Sequence, residues 1–175
     1  MSQSLPPPEL SRPLRIDEIA AHRHGSFSAS QQELTALARR FGLRGLNRMD
    51  VSYGLEPAEN GWLANGRIVA DVVQACAATG QDVPAAIDTP FTIRFVEETG
   101  VEGDEIELSA DDCDTMPIEQ GRFDMGEAAA QTLALALDPF PRAPDAEAWL
   151  KAHGVRSEDE AGPLGGLRDL LSKGK

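Results

Sequence analysis

From Arg48 to Val96 the chain is written as strands separated by short turn signals, and this constrains the fold more than any other feature. Arg48 to Leu55 alternates, with Met49, Val51 and Tyr53 on one face. Glu59-Asn60-Gly61 is a turn signal, and Trp62 to Val73 follows as a long strand. Val83 to Val96 is another, with Ile87, Phe91, Ile93 and Phe95 on its inner side. Thr79-Gly80-Gln81 lies between these two, so they are expected to pair as a central antiparallel hairpin. Pro84 and Pro90 lack amide donors, which suits an edge strand or a bulge. Upstream, residues 13 to 19, with Leu14, Ile16 and Ile19, read as a first strand.

Two helices frame this block. Ser30-Gln31-Gln32-Glu33 is a capping box, in which the Ser hydroxyl takes the Glu33 amide and the carboxylate returns to the Ser30 amide. Leu34, Leu37, Ala38 and Phe41 then form one apolar stripe; Arg39 and Arg40 suit the negative helix end, and Gly42 supplies the stop. Asp124-Met125-Gly126-Glu127 repeats the capping-box pattern at the head of a helix over 125–137, ended by Asp138-Pro139. That helix is apolar nearly all round and is expected to be buried. The fold class is therefore α+β, an antiparallel sheet of about four to six strands covered by the 31–41 and 125–137 helices.

The 175 residues suit one domain with tails. Residues 1–12, with Pro6, Pro7 and Pro8, read as a flexible lead-in; 13–142 form the domain; 143–175 form a tail with short helices at Ala146–His153 and Leu164–Leu171. Met1 to Leu10 carries no basic residue and no apolar run, so no secretory signal is expected. The stretch Ala128 to Leu137 is half the length of a bilayer span. With only Cys76 and Cys113, reduced thiols and a cytoplasmic location are the expectation.

Charge is unevenly distributed. Residues 97–121 hold ten acids, Glu102, Asp104, Glu105 and Glu107 among them, and no Lys or Arg. Taking those ten away from the net charge of −13 leaves −3. Residues 12–48 instead carry seven arginines, including Arg39, Arg40 and Arg44, against three acids. The overall field repels nucleic acid, whose binders normally show a basic excess; on charge alone a basic partner, such as an Arg/Lys-rich protein, fits better. The arginine-rich stretch keeps direct RNA binding as the alternative.

Catalytic and metal patterns find no support. There is no Gly-x-Ser-x-Gly elbow, Walker loop or Gly-x-Gly-x-x-Gly, and no carboxylate pair stands out from the acidic crowd. Cys76 and Cys113 read as structural thiols, and His22-x-His24 as part of a polar loop. The acid run lacks the order of an EF-hand and reads as a solvated loop that could also steer a cationic partner. No cofactor, metal or catalytic residue is expected.

Gly66-Arg67-Ile68-Val69-Ala70-Asp71-Val72-Val73-Gln74-Ala75-Cys76-Ala77-Ala78-Thr79, followed by Val83, Phe91 and Phe95, resembles the central hairpin of the YceD family, the large ribosomal RNA subunit accumulation proteins. Phe123-Asp124-Met125-Gly126-Glu127 and Leu133-x-Leu135-x-Leu137-Asp138-Pro139-x-Pro141 are similar to that family's second block. Glu9-Leu10-Ser11-Arg12-Pro13-Leu14 and Gly162-Pro163-Leu164-Gly165-Gly166-Leu167 echo the ends of its α-proteobacterial branch. Gln74, Cys76, Thr79, Asp124, Glu127 and Pro139 are the motif positions carried over. Two departures stand out: Thr79 occupies the second position of a Cys-x-x-Cys found in many relatives, and Pro139 to Asp145 contains none of the cysteines that look zinc-binding in them. The resemblance implies a role in accumulation of large-subunit ribosomal RNA in bacteria and offers no catalytic residues; with the charge, the expectation is a non-enzymatic factor acting through a basic protein or a ribosomal RNA–protein assembly.

Overall fold

A computed structural model describes residues 8–19, 23–97 and 114–155. Its elements in chain order are β1 (Pro13–Arg15), β2 (His24–Ser28), α1 (Gln31–Arg40), β3 (Gly45–Ala58), β4 (Gly61–Ala75), β5 (Asp82–Glu97), β6 (Asp114–Ile118), β7 (Arg122–Asp124), α2 (Met125–Ala136) and α3 (Ala146–Ala152). The chain divides into two compact units. One comprises residues up to 74 together with 84–139; the other comprises 75–83 with the chain from 140 on.

The larger unit is built on a five-stranded sheet ordered β2-β3-β4-β5-β6. β3 and β4 form a long hairpin across a two-residue turn, Ala58 facing Gly61, with Asn60 in the left-handed region at φ 60 that Asn tolerates. A register shift between Leu46 and Arg48 marks a bulge at Asn47. β4 and β5 are joined by only six residues, too few for a parallel crossover, so they form the expected hairpin.

β5 explains its prolines. Its pairing with β6 covers Ile93–Glu97, so, among the described residues, 82–92 have a strand neighbour on the β4 side alone. The Glu97 amide points to the β4 side, donating to the Asn60 carbonyl at 3.2 Å. Alternation along the strand then turns even-numbered residues outward, and Pro84 and Pro90 stand on the open edge, where a missing donor blunts unwanted pairing.

One face of the sheet is apolar. Met49, Val51 and Leu55 of β3, Ile68, Ala70 and Val72 of β4, and Phe91, Ile93 and Phe95 of β5 share a core with Leu34 and Leu37 of α1 and Ala129, Ala130 and Leu133 of α2. Each large side chain buried there stabilises the unit by about 1.5–3 kcal/mol relative to exposure. On the other face the charged residues answer one another: Arg48 pairs with Asp50, which also accepts from Ser28, and Arg67 pairs with Asp88.

The structure corrects several expectations. The first strand is only Pro13–Arg15, and it pairs with β7 outside the main sheet, because the chain turns at Ile16. His24 opens an edge strand instead of sitting in a loop. The sheet is not wholly antiparallel: β6 runs parallel to β5. β6 also lies inside the acidic segment 97–121, so part of that segment is strand and not linker. α2 is not buried all round, since Leu135 is 76% exposed. Its small residues, Ala128, Ala129 and Ala130, lie in the core with Leu133, while Leu135 and Ala136 of the last turn are exposed.

The smaller unit is the hairpin tip with residues 140–155. Cys76, Ala143 and Ala146 form its core, with Ala78 and Val83 against them. Trp149 and His153 of the α3 segment stack with ring centroids 3.9 Å apart. The 164–171 helix, Cys113 and His22 lie outside the described residues.

Candidate functional site

The motif residues of the sequence gather at two places. The first is a junction between the N-terminal segment Glu9–Arg15, both ends of α1 and the start of α2. Asp124 caps α2 by accepting from the Gly126 and Glu127 amides at 2.8 and 3.2 Å. The same carboxylate accepts from the Ser11 hydroxyl at 2.6 Å and the Arg12 amide at 2.7 Å. It therefore holds a helix end and the N-terminal segment at once.

Glu127 does not close a capping box. Its carboxylate receives a two-pronged contact from Arg40, at 2.7 and 2.8 Å, and Arg40 also reaches Glu9 at 2.9 Å. The capping box of α1 does form, with Glu33 accepting from the Ser30 amide at 2.7 Å. Arg12 then adds a bidentate pair to Glu33, at 2.7 and 3.1 Å. That guanidinium holds the Glu33 carboxyl down to about 2, against a tendency of burial to raise it. Arg40 likewise lowers Glu127, and its own pKa is raised by the two carboxylates.

Arg39 and Arg44 are exposed near the end of α1, so of the three arginines named from sequence only Arg40 enters the junction. Within residues 12–48, Arg12, Arg15, Arg40 and Arg48 each face a carboxylate. Arg12 was the member that sequence reasoning did not single out. Its signal was present in the Ser11-Arg12-Pro13 run, but its partner Glu33 lies 21 residues away. Glu102, Asp104, Glu105 and Glu107 lie outside the described residues.

The second place is the tip of the β4–β5 hairpin. The Cys76 amide donates to the Gln81 carbonyl at 2.7 Å and the Gly80 amide to the Cys76 carbonyl at 2.8 Å, closing the turn. Cys76 is buried, 3% exposed. Its sulfur accepts from the Thr79 amide at 3.4 Å and the Ala143 amide at 3.3 Å. Hydrogen bonding from Thr79, then from the Ala143 backbone, pulls the thiol down to about 6. Nearby in sequence, the Gln74 side chain donates to the Asp138 carbonyl at 2.9 Å, fixing the exit of α2 ahead of the exposed Pro139.

This donor set does not fit a structural zinc ion. A closed shell needs four N or S ligands, and the tip offers one sulfur with a threonine at the neighbouring motif position. Among the described residues no three His, Cys, Asp or Glu side chains converge. No helix among them is long and apolar enough to cross a membrane.

With Gln74, Cys76 and Thr79 on one hairpin and Asp124, Glu127 and Pro139 around α2, the motif order can be set against known families. The model of the family described as large ribosomal RNA subunit accumulation protein YceD matches residues 64–170, more than half of the chain. The chain belongs to the YceD family. The match takes in both motif blocks and leaves the N-terminal segment outside. No curated protein and no solved structure matches the chain. The family's description ties its members to accumulation of the large ribosomal RNA subunit. In this member, Asp124 and Glu127 hold secondary structure together, and Cys76 organises a turn.

Proposed function

We propose that this YceD-family chain is a non-enzymatic, cytoplasmic accessory factor in ribosome biogenesis, supporting accumulation of large-subunit ribosomal RNA through a protein partner. The observation that carries this reading is the charge arrangement. Arg12, Arg15, Arg40 and Arg48 already face carboxylates of their own chain, which weakens the case for a phosphate-binding surface. The ten acids of residues 97–121, with no Lys or Arg among them, are suited to steering a basic protein or a basic ribosomal assembly. Direct RNA binding is the second reading, and it rests on the arginine-rich stretch of residues 12–48, in which Arg39 is exposed.

The test replaces Glu102, Asp104, Glu105 and Glu107 by Gln or Asn and complements cells lacking the gene. The proposal expects a variant that folds normally, leaves large-subunit ribosomal RNA low and loses its partner in pull-downs. Full complementation with an unchanged set of partners would overturn it.

A further inference from the structure

The N-terminal segment Glu9–Arg15 sits in the larger unit as a peptide sits in a recognition groove. Its residues alternate: Leu10, Arg12 and Leu14 face inward, while Glu9, Ser11, Pro13 and Arg15 are exposed. Leu10 is wholly buried, and Leu14 packs against the same core. Arg12 is held by Glu33 from one side and lies 5.2 Å over the Phe27 ring. The main chain is read as well. Pro13, Leu14 and Arg15 pair with Asp124, Phe123 and Arg122, the Arg12 amide donates to Asp124, and the Met125 amide donates to the Arg12 carbonyl at 3.1 Å. Gly126 gives the groove its depth, since a Cβ there would stand 2.6 Å from the Leu10 carbonyl oxygen. Main-chain pairing along an edge with pockets for alternate side chains is the strand-addition mode of peptide recognition.

We infer that this groove is a peptide-binding site which the chain's own N-terminal segment occupies, and that a partner's extended segment with the pattern apolar-x-Arg-x-apolar takes its place. The charges name the occupant. With the segment lifted, Glu33 loses its cation and Asp124 two donors, while Arg40 keeps Glu127 and Arg122 stands opposite the place of Arg15; the unpaired carboxylates then suit a segment with an arginine at the Arg12 position. The inference deepens the protein-partner reading and rests on it. The resident segment acts as a tethered competitor at an effective concentration on the order of millimolar, so the groove in the resting protein is self-inhibited.

The test uses the full chain carrying Leu10→Asp, which puts an unpaired charge at the anchor and expels the segment. A synthetic peptide of residues 8–16 is titrated to about 1 mM, the scale of the lost tether. The expected result is a lowered melting temperature that the peptide restores by at least about half, with no restoration by a peptide carrying Leu10→Ala and Arg12→Ala. Adding Gly126→Ala to the Leu10→Asp chain should abolish the response. A folded variant indifferent to the peptide overturns the inference. If Leu10→Asp does not fold, hydrogen exchange on the unaltered protein decides. The Arg12 and Met125 amides should exchange through local opening at least about tenfold faster than those of β3 and β4, and exchange only with the core overturns the inference. Dimers of the unaltered chain in light scattering would name a second copy as the occupant, overturning the assignment to a partner. None of these readouts involves ribosomal RNA, so their failure leaves the complementation result standing.

Discussion

The N-terminal junction and the hairpin tip both collect motif residues of the family, yet they are held by different physics. At the junction, Arg12–Glu33, Arg40–Glu127 and the Asp124 cap tie three chain segments with charged hydrogen bonds at the rim of an extensive apolar core. At the tip, a sulfur and two backbone amides organise a unit whose buried residues are Cys76, Ala143 and Ala146. A motif residue can thus be retained for a global contact or for a local one, and the two respond differently to the same kind of perturbation. Substitutions at the junction should lower the stability of the whole larger unit, even though the N-terminal segment itself opens locally. The tip should loosen while the larger unit stays folded.

The largest effect is expected in the core under the junction. Phe95 is wholly buried and stacks on Phe123 of β7, centroids 3.9 Å apart. Phe95→Asp buries an unpaired charge and should cost more than ~4 kcal/mol, leaving no cooperative unfolding transition by circular dichroism. Val72→Asp should behave alike, since Val72 belongs to the same buried face.

Next comes the cap itself. Asp124→Ala removes one acceptor serving four donors, and a loss of about 2–3 kcal/mol in urea denaturation is expected. A loss below about 0.5 kcal/mol would mean that the N-terminal segment is not held through Asp124.

The pH dependence of the junction follows from Glu33. Its folded value, about 2, lies below the ordinary 4.5, so its ion pair contributes stability that is fully present above pH 4.5 and is lost as pH falls towards 2. The Glu127 shift has the same sign. Urea midpoints of the natural chain should fall across that window, and Arg12→Ala should flatten the fall.

The strands and the α1 cap were legible because they are local. Alternation placed Phe91, Ile93 and Phe95 inward, and Ser30 lies three residues from its box partner Glu33. The destination of Pro13–Arg15 was not legible, since three residues carry little periodicity and their partner strand lies more than 100 residues on. The parallel course of β6 was hidden for a similar reason, its charge density masking a five-residue strand. For the site, Asp124 was visible as a cap, but its second duty towards Ser11 and Arg12 needs a contact across 112 residues or more. The exposure of Leu135 was misjudged because apolar composition all round a helix does not reveal which side faces the core.

The smallest effect on overall stability is expected at the tip. Cys76→Ser should barely move the main unfolding transition, while the Thr79, Gly80 and Ala143 amides lose protection in hydrogen exchange. The folded thiol titrates near 6 against an ordinary 9.0, so its contribution is complete above pH 9.0 and fades as pH falls through about 6. In a Cys113→Ser background, thiolate absorbance should develop near pH 6. Development near 9.0 would mean that the two amides do not reach the sulfur in solution.

The most direct test of the central claim, that the chain serves ribosomal RNA through a protein and not by gripping RNA, is binding of the purified protein to large-subunit ribosomal RNA over a range of salt concentrations. The account predicts no saturable binding at physiological salt, because the paired arginines and the net charge of −13 leave little to displace counterions. Saturable binding whose log-affinity falls linearly with log-salt, and whose slope shrinks in an Arg39→Ala, Arg44→Ala variant, would contradict it.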